Sequence, residues 1–154
     1  MWAGICRMTT SSVATRGSSA SEPRAVVAGH GDFATGIIAA VQQISGVGHR
    51  FRAVSNAALG ASALDAVLRE AVLALGATVV FTDLPAGSCT IAARRLAHDL
   101  PNLAVVTGAN LPMLLDYALS GGDGLAAVAR AVGKGRDAIV LVPPVNRPDG
   151  DRAH

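Results

Sequence analysis

A chain of 154 residues with 51% hydrophobic but only 3% aromatic side chains can bury one core of its own, built from Ala, Val, Leu and Ile, and leaves no room for a second domain. The formal charge is +2, and Arg7, Arg16 and Arg24 near the N-terminus carry much of the excess. With a near-neutral folded part, no basic stripe and few rings to stack on bases, nucleic-acid binding has little support.

Residues 1–23 are rich in Ser, Ala, Thr and Arg, hold one acid, Glu22, and show no periodicity, so a disordered tail is expected. The Arg and Ser content loosely resembles an organelle transit peptide, and a dispensable extension is the plainer reading; no apolar core of a secretory signal is present. Strand-like runs then fall at Ala25–Ala28, Arg52–Ser55, Val79–Thr82, Leu103–Thr107 and Ala138–Val142. Helical spacing of apolar residues marks Phe33–Ile44, Ser62–Leu75, Ser88–Asp99, Leu111–Leu119 and Leu125–Lys134. This alternation predicts an α/β domain over residues 24–142, a single open, largely parallel sheet with helices on both faces and a C-terminal edge strand at Ala138–Val142.

Helix boundaries follow from residue chemistry. Ser62 and Ser88 are N-cap types, and Asn110 can cap a helix whose second position is Pro112. Gly76 and Gly135 are suited to close helices in the left-handed conformation. Ser120–Gly124 is a loop by composition, and residues 143–154, with Pro143, Pro144 and Pro148, should form a flexible tail. The longest apolar run, Ala71 to Phe81, is interrupted by Gly76 and Thr78 and falls short of the ~18 residues of a membrane span. Cys6 and Cys89 do not suggest a disulfide framework. A soluble, cytoplasmic protein is expected.

The chemistry concentrates at strand ends. The run Ala25 to Ala28 stops at Gly29-His30-Gly31, immediately before a helix. In an open parallel sheet ligands bind outside the carboxyl ends of the strands, and the free N–H groups of a following helix attract an anion. The third strand ends at Asp83 and the fourth at Thr107–Met113; if the first strand is central, all three ends meet. Asp83 could then fix the tautomer of His30 and leave the other ring nitrogen as a nucleophile. Gly87 and Ser88 would offer close backbone approach, N–H donors and a hydroxyl to a phosphoryl group. Taken singly, His30 is an ordinary turn histidine, Asp83 a turn former before Pro85, and Ser88 a cap. Their joint placement is what points to phosphate chemistry.

Three other patterns carry less. Gly29-x-Gly31-x-x-Ala34 matches a dinucleotide fingerprint, but no acid stands near Ser55 and Asn56 to hold a ribose. Cys89 and Arg95 have the C-x5-R spacing of a phosphatase loop, yet the residues between them read as helix without glycines, which favours a small buried Cys89. His49, His98 and His154 stand in loop, helix and tail settings expected to be exposed, and no cluster suggests a metal.

Gly29-His30-Gly31, Thr82-Asp83-Leu84, Ala86-Gly87-Ser88 and Asn110-Leu111-Pro112-Met113 resemble the IIA domain of mannose-family sugar phosphotransferase systems, in order and spacing over about residues 24 to 142. The resemblance implies a phosphohistidine carrier. His30 would take a phosphoryl group from HPr and pass it to a IIB domain, Asp83 would support the histidine, and Ser88 would lie beside the phosphoryl site. It also implies a homodimer paired through the last strand, an indirect link to the membrane through IIC and IID, and no cofactor. The chain departs from the family where Ala86-Gly87-Ser88-Cys89 replaces a Gly-Gly-Ser-Pro or Gly-Gly-Thr-Pro turn, and where Ser55-Asn56-Ala57-Ala58 replaces a Pro-Gly-Glu-Asn loop. The phosphotransfer subunit of dihydroxyacetone kinase shares the general fold and a histidine, and a regulatory module switched by phosphorylation of His30 is the non-enzymatic alternative.

Overall fold

The computed structural model describes residues 24–122 and 124–144. It contains β1 (Ala25–Gly29), α1 (Phe33–Ser45), β2 (Phe51–Ser55), α2 (Ala61–Leu75), β3 (Val79–Thr82), α3 (Ser88–Asp99), β4 (Ala104–Thr107), α4 (Leu111–Leu119) and α5 (Leu125–Asp137), with one 3-10 turn at Gly48–Arg50 before β2. The sheet is parallel throughout, in the order β2-β1-β3-β4, with Ala28 level with Val54 on one side and Thr82 on the other. The α/β architecture is therefore the one the alternation predicts, and β1 is interior.

Successive strand side chains point to opposite faces, which divides the core in two. Ala25, Val27, Val79 and Phe81 face α1, α4 and α5, where Phe81 meets the Tyr117 ring edge-on at a centroid distance of 5.4 Å. Val26, Ala28, Val54 and Val80 face α2 and α3. On α2 the buried positions Leu64, Leu68, Ala71 and Val72 form the stripe of an amphipathic helix. On α3 the small buried residues Cys89, Ala92 and Ala93 let that helix lie close to the sheet.

Several boundaries differ from expectation. The N-cap of α2 is Gly60, and Ser62 lies exposed within the first turn. α3 spans Ser88–Asp99 as expected, but its cap is Gly87 and Ser88 is its first residue. Gly76 does close α2 at a φ of 65°, and Asn110 does cap α4 by accepting the Met113 N–H at 3.1 Å. Gly135 closes nothing, because α5 continues to Asp137. Its role is close packing: a Cβ there would stand 2.7 Å from Met113 Cε and 2.9 Å from Asn110 Oδ1.

The segment Ala138–Val142 forms no strand in the single chain. Ile139, Val140, Leu141 and Val142 are 72–89% exposed. A strand needs a ladder partner, and among the described residues this run pairs with neither open edge of the sheet. The expected tail at 1–23, residues 145–154 of the expected tail at 143–154, with Cys6 and His154, and Asp123 of the expected Ser120–Gly124 loop lie outside the described residues. Among the described residues no helix is long and apolar enough to cross a membrane.

Candidate active site at the ends of β1 and β3

The chain leaves β1 for α1 on one face and leaves β3 for α3 on the other, so a crevice opens between the two strand ends. Such a switch point is where open α/β sheets place their ligands. His30 follows the last residue of β1 and Asp83 follows the last residue of β3. Because Ala28 and Thr82 are partners in the ladder, Asp83 leaves the sheet beside Gly29, one residue before His30.

Asp83 Oδ2 accepts the backbone N–H of His30 at 2.8 Å and lies 2.7 Å from His30 Nδ1, while Oδ1 accepts the Leu84 N–H at 2.9 Å. The Asp83 side chain is 12% exposed and that of His30 is 50% exposed. Partial burial is the largest single influence on the Asp83 carboxyl and pushes its pKa up. The His30 N–H, the His30 ring and its charge, and the Leu84 N–H together outweigh it and hold the group below the ordinary carboxylate value. A carboxylate bound to Nδ1 requires the proton on that nitrogen, so the lone pair belongs to Nε2.

Two glycines make this approach possible. A Cβ on Gly29 would stand 2.6 Å from Phe33 Cδ1 and 3.1 Å from the Asp83 carboxyl. A Cβ on Gly87 would stand 3.2 Å from His30 Cε1 and 3.9 Å from Nε2. The start of α3 therefore lies against the Nε2 side of the ring. The first intrahelical bond of α3 runs from Ile91 N–H to the Gly87 carbonyl, which leaves the N–H groups of Ser88, Cys89 and Thr90 without helical acceptors, at the positive end of the dipole.

The turn beneath is fixed by buried hydroxyls. Thr82 Oγ1 and Thr90 Oγ1 are 2.7 Å apart, and Thr90 Oγ1 donates to the Leu84 carbonyl. Cys89 is buried beside them. Burial first and the Asp83 charge second push its thiol pKa up, and a bond with Ser88 opposes them only in part. Arg95 pairs with Asp65 on α2 at 2.7 Å, so Cys89 and Arg95 do not form a phosphate loop.

The structure thus brings His30, Asp83, Gly87 and Ser88 together. It does not bring the β4 end to His30: β4 is two places from β1, and the Asn110 side chain is spent capping α4 and donating to the Gly135 carbonyl at 2.8 Å. The end of β2 takes that place. Ser55 Oγ donates to the Gly31 carbonyl at 2.8 Å, and Asn56 Nδ2 donates to Ser88 Oγ at 3.0 Å. Both contacts cross the sheet, so the spacing of local motifs held no sign of them. His49 and His98 are exposed, and among the described residues no group of three or more ligating side chains could hold a metal.

No curated protein sequence matches the chain. Among solved structures, the mannose/sorbose-specific IIA subunit of the phosphotransferase system from Enterococcus faecalis is 26% identical, with a TM-score of 0.67 over 80% of this chain and 96% of that one. The phosphotransferase system component EIIA from Streptococcus agalactiae, at 21% identity, shares the fold with a TM-score of 0.69 over 77% of this chain and 95% of that one. The IIA protein associated with the fucose utilization operon from Streptococcus pneumoniae shares it at 23% identity and a TM-score of 0.67, over 78% and 93% of the two chains. The sequence model of the PTS system fructose IIA component matches residues 24–132, the span that holds the whole sheet, the His30–Asp83 pair and the start of α3, and the chain belongs to that mannose/fructose IIA family of the sugar phosphotransferase system.

Proposed function

We propose that this chain is a cytoplasmic phosphohistidine carrier that accepts a phosphoryl group from HPr on His30 and passes it to a IIB domain during carbohydrate uptake. The observation that carries this reading is the 2.7 Å contact between His30 Nδ1 and Asp83 Oδ2. It holds the ring in the tautomer whose Nε2 has a free electron pair and sets that nitrogen against the start of α3.

In the transfer, Nε2 gives its pair to phosphorus, and the bond from phosphorus to the donor atom breaks with its pair left on the donor. The His30 ring keeps its Nδ1 proton and gains positive charge, which the Asp83 carboxylate offsets. The N–H groups opening α3 and the Ser88 hydroxyl stabilise the phosphoryl oxygens. Return of the phosphoryl group to an acceptor runs the same steps backwards. No organic cofactor or metal enters these steps, and contact with the membrane is indirect, through IIC and IID.

Intact mass after incubation with phosphoenolpyruvate, Enzyme I and HPr tests the reading. One added phosphoryl group on the wild-type chain and none on folded His30→Ala is the expected result. A folded His30→Ala protein that still labels would end the carrier reading. Onward transfer to a IIB domain separates a carrier from a regulatory module that is only switched by the label.

A further inference from the structure

We propose that Asn56 is a positioning residue for phosphoryl transfer, acting through Ser88. This rests on the carrier reading above and concerns a residue of the β2 end that the histidine-centred account leaves unused.

The Asn56 main chain is anchored on both sides. Its N–H donates to the Gly29 carbonyl at 3.2 Å, continuing the β1–β2 ladder by one residue, and its carbonyl accepts the Leu59 N–H at 3.1 Å. Next to it, Ser55 Oγ accepts the Ala57 N–H at 3.1 Å while donating to the Gly31 carbonyl at 2.8 Å. The loop is also held by Ala58 at a φ of 59°, the left-handed region that a residue with a Cβ rarely adopts. From this fixed base the Asn56 amide spans from the end of β2 to the first residue of α3 and donates to Ser88 Oγ at 3.0 Å. His30 lies between the two, at the end of β1, so the bond crosses the crevice beside the reacting ring.

The direction of that bond is the substance of the inference. A serine hydroxyl has one proton and two lone pairs. Occupying a lone pair with the Asn56 N–H fixes the oxygen and leaves the Ser88 proton, which the Cys89 sulfur can accept in the resting chain, free to turn about it. The proton can then be donated to an oxygen of the phosphoryl group on Nε2. Without Asn56 the exposed Ser88 hydroxyl is free to rotate, and donation requires it to be ordered during the reaction.

The test is single-turnover transfer from phosphorylated HPr to the full chain, over a range of donor concentrations that separates the saturating rate from apparent donor affinity. Folding is checked by circular dichroism. Asn56→Ala is expected to lower the saturating rate about tenfold, the scale of one hydrogen bond in a transition state, with donor affinity unchanged. In a Ser88→Ala background the same substitution is expected to change nothing further. Asn56→Asp keeps the size of the side chain but can only accept, so it turns the Ser88 proton towards itself and places a charge near the incoming group; its loss should exceed that of Asn56→Ala. A folded Asn56→Ala protein at the wild-type rate, or a tenfold loss that persists without Ser88, would overturn the role. Should Asn56→Ala not fold, a folded Asn56→Asp protein at the wild-type rate would do the same. Absence of labelling on the wild-type chain would instead remove the carrier reading itself.

Discussion

One oxygen of Asp83 meets His30 twice: Oδ2 takes the backbone N–H at 2.8 Å and faces ring Nδ1 at 2.7 Å. The residue and its side chain are therefore located by the same atom, which couples the direction of the imidazole to the path of the chain leaving β1. Asp83→Asn tests this coupling. The amide keeps the size of the side chain but can present a donor to Nδ1, favouring the wrong tautomer, and it carries no charge to offset the ring. Phosphoryl transfer from HPr should fall by about three to four powers of ten, as when the orienting acid of a catalytic triad is replaced. A folded Asp83→Asn protein with the wild-type single-turnover rate would remove Asp83 from the mechanism.

Acid should loosen the fold partly through this carboxylate. Its pKa is lower in the folded chain than the ordinary value of 3.8, so the unfolded state binds the proton more readily. The stabilisation is present above that ordinary value and is lost as pH falls through the folded pKa. Urea melts from pH 6 down to pH 3 should show a smaller acid-dependent loss for Asp83→Asn than for wild type. Equal losses in the two proteins would assign the acid sensitivity to other groups.

Gly87→Ala separates folding from chemistry. The φ of Gly87 is −160°, extended backbone open to any residue, and the added methyl would press on His30 Cε1 at 3.2 Å. We expect a melting temperature close to wild type and a transfer rate lower by about tenfold to a hundredfold, since small displacements of a reacting group cost that much. A wild-type rate would show that the α3 start does not sit at the phosphoryl position.

Cys89 should be chemically quiet. It is fully buried, and burial with the nearby Asp83 charge holds its thiol pKa up, which keeps the reactive thiolate scarce at neutral pH. A thiol reagent at pH 7.5 should modify it only on unfolding, and Cys89→Ala should still accept the phosphoryl group. Loss of labelling in a folded Cys89→Ala protein would reopen a role for the sulfur.

The run from Ile139 to Val142 is apolar and 72–89% exposed, while among the described residues nothing pairs with the outer edge of β4. Open edges and contiguous apolar surface call for a cover. We expect a homodimer in which this run serves as that cover, and deletion of residues 138–154 should shift it to monomer. Light scattering that reports only monomer of the full chain at micromolar concentration would rule the dimer out.

Much of the architecture was legible in sequence because buried parallel strands read as short apolar runs and helices read by their spacing. Val79–Thr82 and Leu111–Leu119 agree to the residue. Local chemistry misled where a tertiary contact decided the outcome. Gly135 looks like a helix stop, but its missing side chain serves the contact with Met113. Ala138–Val142 has the composition of a strand and pairs with nothing among the described residues, and composition alone does not name the edge it would join. The same limit applies at the site. His30 and Asp83 each announce themselves by standing at a strand end, whereas Asn56 matters only through Ser88, 32 positions away. Pairing across the sheet depends on strand order, and no single segment encodes that order.

The pairing of Ala28 with Thr82 places Asp83 beside Gly29, one residue before His30. A shift of either strand by one residue would send its side chains to the opposite face and carry the imidazole away from the carboxylate. Reactivity towards a phosphoryl donor is thus a proofreading signal for the sheet: a chain trapped in a misaligned arrangement could be compact and helical and would still fail to take the label, so the labelled fraction of a refolded sample counts the molecules whose central strands found their proper alignment.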